Sequence, residues 1–299
     1  TVSFKDTVVG SQALVVTGNA EFDGIVGAGV GIALTSLTVT GTTALGSHVT
    51  TTGAQTYTGA TTLTGVSILT GSDLTLGSVA LGSHALIVSA SGTASIAGVI
   101  SGTGGLTQIG AGRLNLTGDN TYSGVTFHKK GVSSSVLGLG HKNALGTGEL
   151  RIDSVGHIEA LVDLSGANKV LNDVILYGKS SHLTAVGSNS LELGGGFTLG
   201  GNRTQNNITN NITGDGVLTL SGTVTGSIKA KTLDIVGTGS TVISGVIQDS
   251  SDTLTIALTK HSAGTLTLSG ANTYPGNTTV LAGTLTLANT NASSQYAIS

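Results

Sequence analysis

The residues best equipped for chemistry stand together in the middle of the chain. Glu149, Arg151, Asp153, Glu159, Asp163, Lys169 and Asp173 fall in one short stretch, in a protein where only 9% of residues are charged. Paired carboxylates beside a cation are the equipment of polysaccharide lyases and hydrolases, where one acid protonates the leaving oxygen and another acts as base or nucleophile. The order of these residues argues for a plainer role. In Glu149-Leu150-Arg151-Ile152-Asp153 every second side chain is apolar, so Leu150 and Ile152 turn inward from a strand and the charges decorate its outer face.

Other reactive patterns are missing. There is no GxSxG, no HExxH, no GxxxxGK[ST] and no GGxGxD calcium nonapeptide. Gly194-Gly195-Gly196 leads into Phe197-Thr198-Leu199, which reads as a strand, so the glycines form a turn and not a phosphate cradle. The polar run Asn202 to Asn211 reads as a projecting loop or as asparagines stacked inside corners. Its sequons at Asn202, Asn207 and Asn211 are of a kind that an Asn/Thr-rich chain generates readily. No catalytic, cofactor-binding or metal-ligating residue is assigned.

The elements that must carry these residues are strands in a repeat. Gly264 to Leu287 begins and ends on Gly-Thr-Leu-Thr-Leu, so Leu266 recurs as Leu285 and Leu268 as Leu287 at one constant spacing. Alternation in Thr265-Leu266-Thr267-Leu268 predicts a strand with leucines on one face. The Gly-containing segments Ser269–Asn272 and Tyr274–Asn277 predict corners, and Thr278–Leu281 another strand. Strand, corner, strand, corner, strand closes one coil. An earlier stretch, Gly112 to Gly131, has the same form: Leu114, Leu116, Gly118, Tyr122 and Gly124 reappear at 266, 268, 270, 274 and 276. Upstream, Gly98-Val99-Ile100 matches Gly245-Val246-Ile247 with five residues inserted, which belong at a corner. Where Leu114 and Leu116 should recur one such coil later stand Ser133 and Ser135, so that coil is slipped and Val132 and Val136 are expected to face inward instead.

The pattern G-x-L-x-L-x-G-x-N-T-Y-x-G-x-T, at Gly112 to Thr126 and Gly264 to Thr278, resembles the passenger-associated repeat of bacterial autotransporters. Val49 to Leu63, VTTTGAQTYTGATTL, is similar to repeats in large surface adhesins of the same secretion class. The resemblance implies an all-β fold, a right-handed parallel β-helix (β-solenoid), exported to the cell surface. It carries no catalytic residues, because the repeat is a scaffold.

Looser repetition extends the solenoid to both ends. Leu14-Val15-Val16-Thr17-Gly18 and Leu37-Thr38-Val39-Thr40-Gly41 give a second, slightly longer coil spacing, and Leu86-Ile87-Val88 reads as a further copy. At roughly 19 to 23 residues per coil the chain predicts about 13 to 16 coils in one elongated rod. Residues 1–299 therefore read as one solenoid domain, with adhesin-like repeats over 1–111, passenger-type repeats at 112–131 and 264–287, and less regular coils over 137–201. Leu254 and Leu266 stand too close for a full coil, which predicts an edge hairpin or a compressed coil. The seven histidines come singly, and His48 and His84 share the context Leu-Gly-Ser-His. They predict equivalent corners two coils apart, roughly 10 Å from each other and too far to share a metal ion.

Composition fits that scaffold. The chain has 299 residues, 48 of them Gly, one Pro and no Cys, Met or Trp. Thr, Ser and Asn replace charge on the outer faces, as β-branched Thr suits a pleated surface. Lack of Cys excludes disulfides and thiolate chemistry. A net charge of −3, with no basic run beyond Lys129-Lys130, excludes the cationic stripe that nucleic acid requires. The first residues, Thr1 to Asp6, hold no apolar signal core, and the chain is expected to be a processed piece of a longer precursor without a membrane span in this segment.

The expected function is a non-catalytic, secreted or outer-surface solenoid, serving as a structural fibre subunit or adhesin passenger. End-to-end self-association and a host or surface glycan are the expected partners. The alternatives are a polysaccharide-active β-helix enzyme and an ice-binding solenoid acting through outward pairs such as Thr38/Thr40, Thr265/Thr267 and Thr284/Thr286.

Overall fold

In a computed structural model, residues 1–27, 32–129, 135–153, 155–178, 181–202, 204–227, 229–249 and 255–289 are described. The chain is all-β, a β-solenoid of about 11 turns with parallel pairing throughout the described strands. A single 3-10 turn, Gly166–Asn168, is the only helical element among the described residues. Contacts divide the chain into two compact units, Thr1–Gly148 and Glu149–Ser299.

In the first unit each coil has three sides. One side stacks strands such as Ala20–Phe22, Thr43–Leu45, Thr61–Leu63 and Val79–Ala80. A second stacks Ser67–Gly71, Leu86–Ala90, Leu106–Gln108 and Thr126–Lys129. A third runs from Ala13–Val16 through Ser36–Val39, Gln55–Tyr57, Leu74–Leu76 and Thr93–Ile96 to Arg113–Leu116 and Val136–Leu139. Alternation puts one side chain in two into the lumen, where they meet the same position one coil away. Leu74, Ala94, Leu114 and Leu137 form such a column, each almost wholly buried. Each buried Leu or Val in a column contributes about 1.5–3 kcal/mol of transfer free energy.

The second unit repeats the plan with longer coils. One side stacks Leu150–Asp153, Val174–Leu176, Phe197–Leu199, Val224–Gly226 and Ile247–Gln248. The next holds Val155–Ala160, His182–Val186, Gln205–Asn210, Lys231–Val236, Ile256–Lys260 and Thr278–Val280. The third holds Leu191–Leu193, Val217–Leu220, Ser240–Ile243, Thr265–Leu268 and Thr284–Leu287. Leu150, Val174, Phe197, Val224 and Ile247 make an inner column.

The organising repeat is paired as its sequence requires, Leu266 on Leu285 and Leu268 on Leu287. Leu14 to Val16 likewise stack on Leu37 to Val39. Leu86-Ile87-Val88 does not continue that stack, because it lies in another sheet, against Ser67–Gly71. The turns are fewer than 13 to 16 because the second unit's coils are long. Leu183, Ile208 and Ile235 are successive partners in one sheet, and both steps between them exceed the step from Leu266 to Leu285.

The slipped coil resolves differently from expectation. Leu114 pairs with Leu137 and Leu116 with Leu139, a longer step that restores an apolar pair to the lumen. Val136 consequently faces outward beside Arg113, and Ser135 is buried; Val132 and Ser133 lie outside the described residues. No hairpin forms among the described residues after 254. Ile256–Lys260 and Thr265–Leu268 are consecutive sides of one coil, and Leu254 itself lies outside the described residues.

Candidate functional site

The polar residues of the two matching stretches close onto backbone. Asn120 Oδ1 accepts the Ile100 N–H at 2.7 Å while the Thr121 N–H donates to the Ile100 carbonyl at 2.9 Å. In the second copy Asn272 Oδ1 accepts the Ile247 N–H at 2.9 Å and the Thr273 N–H donates to the Ile247 carbonyl at 3.0 Å. Each asparagine, with the threonine after it, thus clasps one isoleucine of the preceding coil on both its backbone groups. That is why Gly-Val-Ile precedes both motifs. The five-residue difference falls between Ile247–Gln248 and Ile256–Lys260, in part outside the described residues. Tyr122 and Tyr274, 0% and 1% exposed, bond the hydroxyls of Thr126 and Thr278 at 2.6 and 2.7 Å. A Cβ on Gly118 or Gly270 would collide with the carbonyl of Gly98 or Gly245 one coil below, so close corner stacking demands glycine there.

Val49 to Leu63 carries similar letters in another arrangement. Gln55 and Tyr57 lie within a strand and not at a corner; Tyr57 donates to Gln55 Oε1 at 2.8 Å, and Gln55 Nε2 donates to the Thr70 carbonyl at 2.8 Å. The phenols of Tyr57 and Tyr122 are both shielded from water, and burial pushes their pKa values well above the usual tyrosine range.

The charged residues do not converge on one centre. Leu150 and Ile152 are buried as expected, and the charges face outward. Arg151 pairs with Glu149, its Nε donating to Oε1 at 2.5 Å. Asp163 accepts from Ser165 and lines a small hollow with Asp215. Lys169 reaches Glu192 at 3.4 Å, and Asp173 Oδ1 accepts the Gly196 N–H at a corner, the role expected for that glycine triplet as a turn. Glu159 packs beside Gly187.

Burial pushes the Glu192 carboxyl upward, yet the Ser221 hydroxyl, the Gly166 N–H and Lys169 outweigh it and hold the group below its usual value. Two lysines occupy lumen-facing positions. Lys231 Nζ donates to the carbonyls of Gly200 and Gly201 at 2.9 Å each, and Lys260 Nζ to that of Ser262. Burial lowers the pKa of both.

Arg151 and Asp153 line an open groove of about 650 Å³ on the outer face of the second unit. Strand register builds it. Arg151, Ile175, Thr198 and Thr225 form one outward row. Asp153, Tyr177, Gly200 and Ser227 follow the same coils two residues on. Tyr177 is 54% exposed, with the Arg151 guanidinium 5.3 Å from its ring centroid. Beside it Gly200 and Gly201 contribute no side chain, which leaves the notch. A Cβ on either would strike a carbonyl of the coil below, of Leu176 or of Gly178. Strand alternation placed the acids correctly, but Tyr177 went unmarked in the sequence. The available signal was an outward aromatic followed one coil later by two glycines.

The remaining candidates are structural. Leu45, Leu63 and Leu81 stack, so the two Leu-Gly-Ser-His segments do leave one column at corners two coils apart. His48 Nδ1 accepts the Ile68 N–H, His182 Nδ1 accepts that of Asn207, and His261 Nε2 lies 3.3 Å from Asp234. Among the described residues no three His, Cys, Asp or Glu side chains gather as a metal site would need. Gln205–Asn210 is a strand and not a projecting loop, and Asn210, its last residue, stacks on Ala185 and not on another asparagine; it is buried and bonds the Ser240 carbonyl and Thr241 hydroxyl. Of the outward threonines, Thr38, Thr56 and Thr75 stack in register until Ser95 and Asn115 interrupt the row. Thr267 and Thr286 stack in line with Val242.

Residues 106–127 and 258–292 match the passenger-associated-transport-repeat. The chain carries two copies of an autotransporter passenger repeat. Each copy spans the clasping asparagine, the Tyr–Thr pair and the stacked glycine just described, and together with the β-solenoid they fit an autotransporter passenger. The match covers those two segments and not Val49 to Leu63. No curated protein and no solved structure matches the chain. Among the described residues no helix is long and apolar enough to cross a membrane.

Proposed function

We propose that this chain is a non-catalytic part of an autotransporter passenger, displayed on the outer surface or released from it, and acting as an adhesin or structural subunit. The observation that carries the reading is the pair of passenger repeats, whose polar residues are consumed in holding coils together. A scaffold needs such internal bonds; a catalytic repeat would leave them facing substrate. The groove supports the same reading. Among the described residues its lining holds one carboxylate, Asp153, while neighbouring Glu149 is engaged by Arg151, whereas glycoside hydrolysis needs two acids across the scissile bond.

End-to-end association is part of the proposal. In a parallel ladder any unpaired edge strand offers the same donor and acceptor spacing as the strands inside, and so templates another copy. Expression of the full reading frame, followed by protease shaving and antibody labelling of intact cells, tests display: label confined to the cytoplasm would end the reading. Incubating the purified chain with a polysaccharide panel tests catalysis, and new reducing or unsaturated ends would refute its absence. Electron microscopy over a concentration series tests association through the appearance of unbranched filaments.

A further inference from the structure

One coil of the second unit carries an insertion where the coils after it have a single residue. Leu164 and Val170, both buried, form parallel bridges with Leu191 and Leu193. The ladder across them is complete. The Leu164 N–H donates to the Ser190 carbonyl at 3.0 Å, and the Glu192 N–H to that of Leu164 at 2.7 Å. The Val170 N–H donates to the Glu192 carbonyl at 2.9 Å, and the Gly194 N–H to that of Val170 at 2.6 Å. Glu192 alone stands between Leu191 and Leu193, as Thr219 alone stands between Leu218 and Leu220, but Ser165 to Lys169 stand between Leu164 and Val170. An excursion thus replaces one outward residue, and both lumen positions stay filled. It is exposed at Gly166, Ala167 and Asn168, and its 3-10 turn buries no residue.

Glu192, the side chain left facing this excursion, grips it at both ends. Its Oε2 accepts the Gly166 N–H at 2.8 Å, and its Oε1 lies 3.4 Å from Lys169 Nζ. From the next coil the Ser221 hydroxyl donates to Oε1 at 2.6 Å and fixes the carboxylate in place. We propose that Glu192 is an acid-released latch: as a carboxylate it clamps Ser165–Lys169 to the outer face of the unit, and once protonated it frees the excursion while Leu164 and Val170 keep the coil closed. The device goes beyond the passenger reading and does not depend on it.

The grip is strong only in the charged form. Lys169 is attracted by the carboxylate and not by the neutral acid, and an N–H bond to a carboxylate is stronger than one to a neutral oxygen. Burial pushes the Glu192 carboxyl upward, but the Ser221 and Gly166 bonds and Lys169 outweigh it and hold the group below its ordinary 4.5. The latch is therefore closed above 4.5 and opens as pH falls through the lower, folded value. Asp163, which accepts from the Ser165 hydroxyl at 2.6 Å, is the other acid at the foot of the excursion. The strand stacked on Glu192 from the far side, Val217–Leu220, carries no titratable residue. Gly166 supplies the hinge, since its φ of 58° lies in the left-handed region and the space a side chain would take there is open. The result is a loop held flat in neutral medium and presented in acid, a local charge change read out by a two-state segment.

The chain has no Cys, so Asn168→Cys places a single spin label at the tip of the excursion, and Ser240→Cys places one on an exposed residue of the same side. Electron paramagnetic resonance then reads label mobility from neutral pH into acid. The label at 168 should become roughly threefold more mobile as pH falls below 4.5. The label at 240 and the β circular dichroism signal should not change over that step. In a Glu192→Gln background the label at 168 should be mobile at neutral pH and show no step. Lys169→Gln should move the step to higher pH, and Asp163→Asn should keep it. Circular dichroism checks that each variant is folded. A label at 168 that stays immobile until the circular dichroism signal is lost would overturn the latch. So would a step that persists in Glu192→Gln, stays in place in Lys169→Gln or disappears in Asp163→Asn.

Discussion

Replacing Asn120 by Ala tests whether the passenger repeat is a clasp. The side chain accepts the Ile100 N–H at 2.7 Å and donates to the Ala144 carbonyl at 2.7 Å, both in buried surroundings. Alanine removes both bonds and fills neither place, leaving a donor and an acceptor of the backbone without a partner. Each such group costs about 1–3 kcal/mol, so the corner should lose roughly 2–6 kcal/mol. The loss should be local, because a solenoid coil depends mainly on its neighbours. Hydrogen exchange followed by mass spectrometry reads it in the peptide containing Ile100. A loss of about 3 kcal/mol speeds exchange there by roughly a hundredfold, while peptides from Leu14–Val39 stay unchanged. Asn120→Asp sharpens the test, since it keeps the acceptor for Ile100 but sets a carboxylate oxygen against the Ala144 carbonyl. Exchange at Ile100 in Asn120→Ala indistinguishable from wild type would refute the clasp and return the asparagine to surface decoration.

Three further outcomes follow from the same geometry. Gly270→Ala drives a methyl group into the Gly245 carbonyl and should destabilise the second unit by about 1–3 kcal/mol or more, measured as a lower urea midpoint. Tyr57 and Tyr122 have pKa values raised above the ordinary 10.0 by burial, so the unfolded chain releases their protons first. Their contribution is complete below pH 10 and is lost as pH rises beyond it, and their share of the tyrosinate absorbance should appear only together with loss of the β circular dichroism signal. Glu192 has the opposite sign: its depressed pKa gives stability that is present above the ordinary value of 4.5 and lost as pH falls through the folded one. Glu192→Gln should therefore narrow the difference in melting temperature between neutral and acid pH.

What the sequence made legible was the part of the fold that repeats at constant spacing. Leu266 and Leu285 announce their stacking because the coil between them has no insertion, and the strand period of Glu149 to Asp153 fixes which side chains enter the lumen. Legibility failed where coil length changed. A longer coil carried the apolar pair past Ser133 and Ser135 to Leu137 and Leu139, and Val136 moved to the outer face. Lys231 and Lys260 were hidden differently. A lysine at a lumen position breaks the apolar alternation, and only the structure shows that its long stem carries the ammonium to a turn carbonyl.

The groove illustrates the limit more sharply. Its members are neighbours only through three coils of unequal length, the first from Leu150 to its partner Val174, the second on to Phe197 and the third on to Val224. No fixed period applied to the sequence brings Asp153, Tyr177, Gly200 and Ser227 into one line. A change of one residue in any of these coils would leave the inner column intact if the corner absorbed it, yet would move Tyr177 relative to the polar groups around it. The inner column survives unequal coils because the corners absorb the difference, whereas the alignment of side chains on the outer face depends on those lengths.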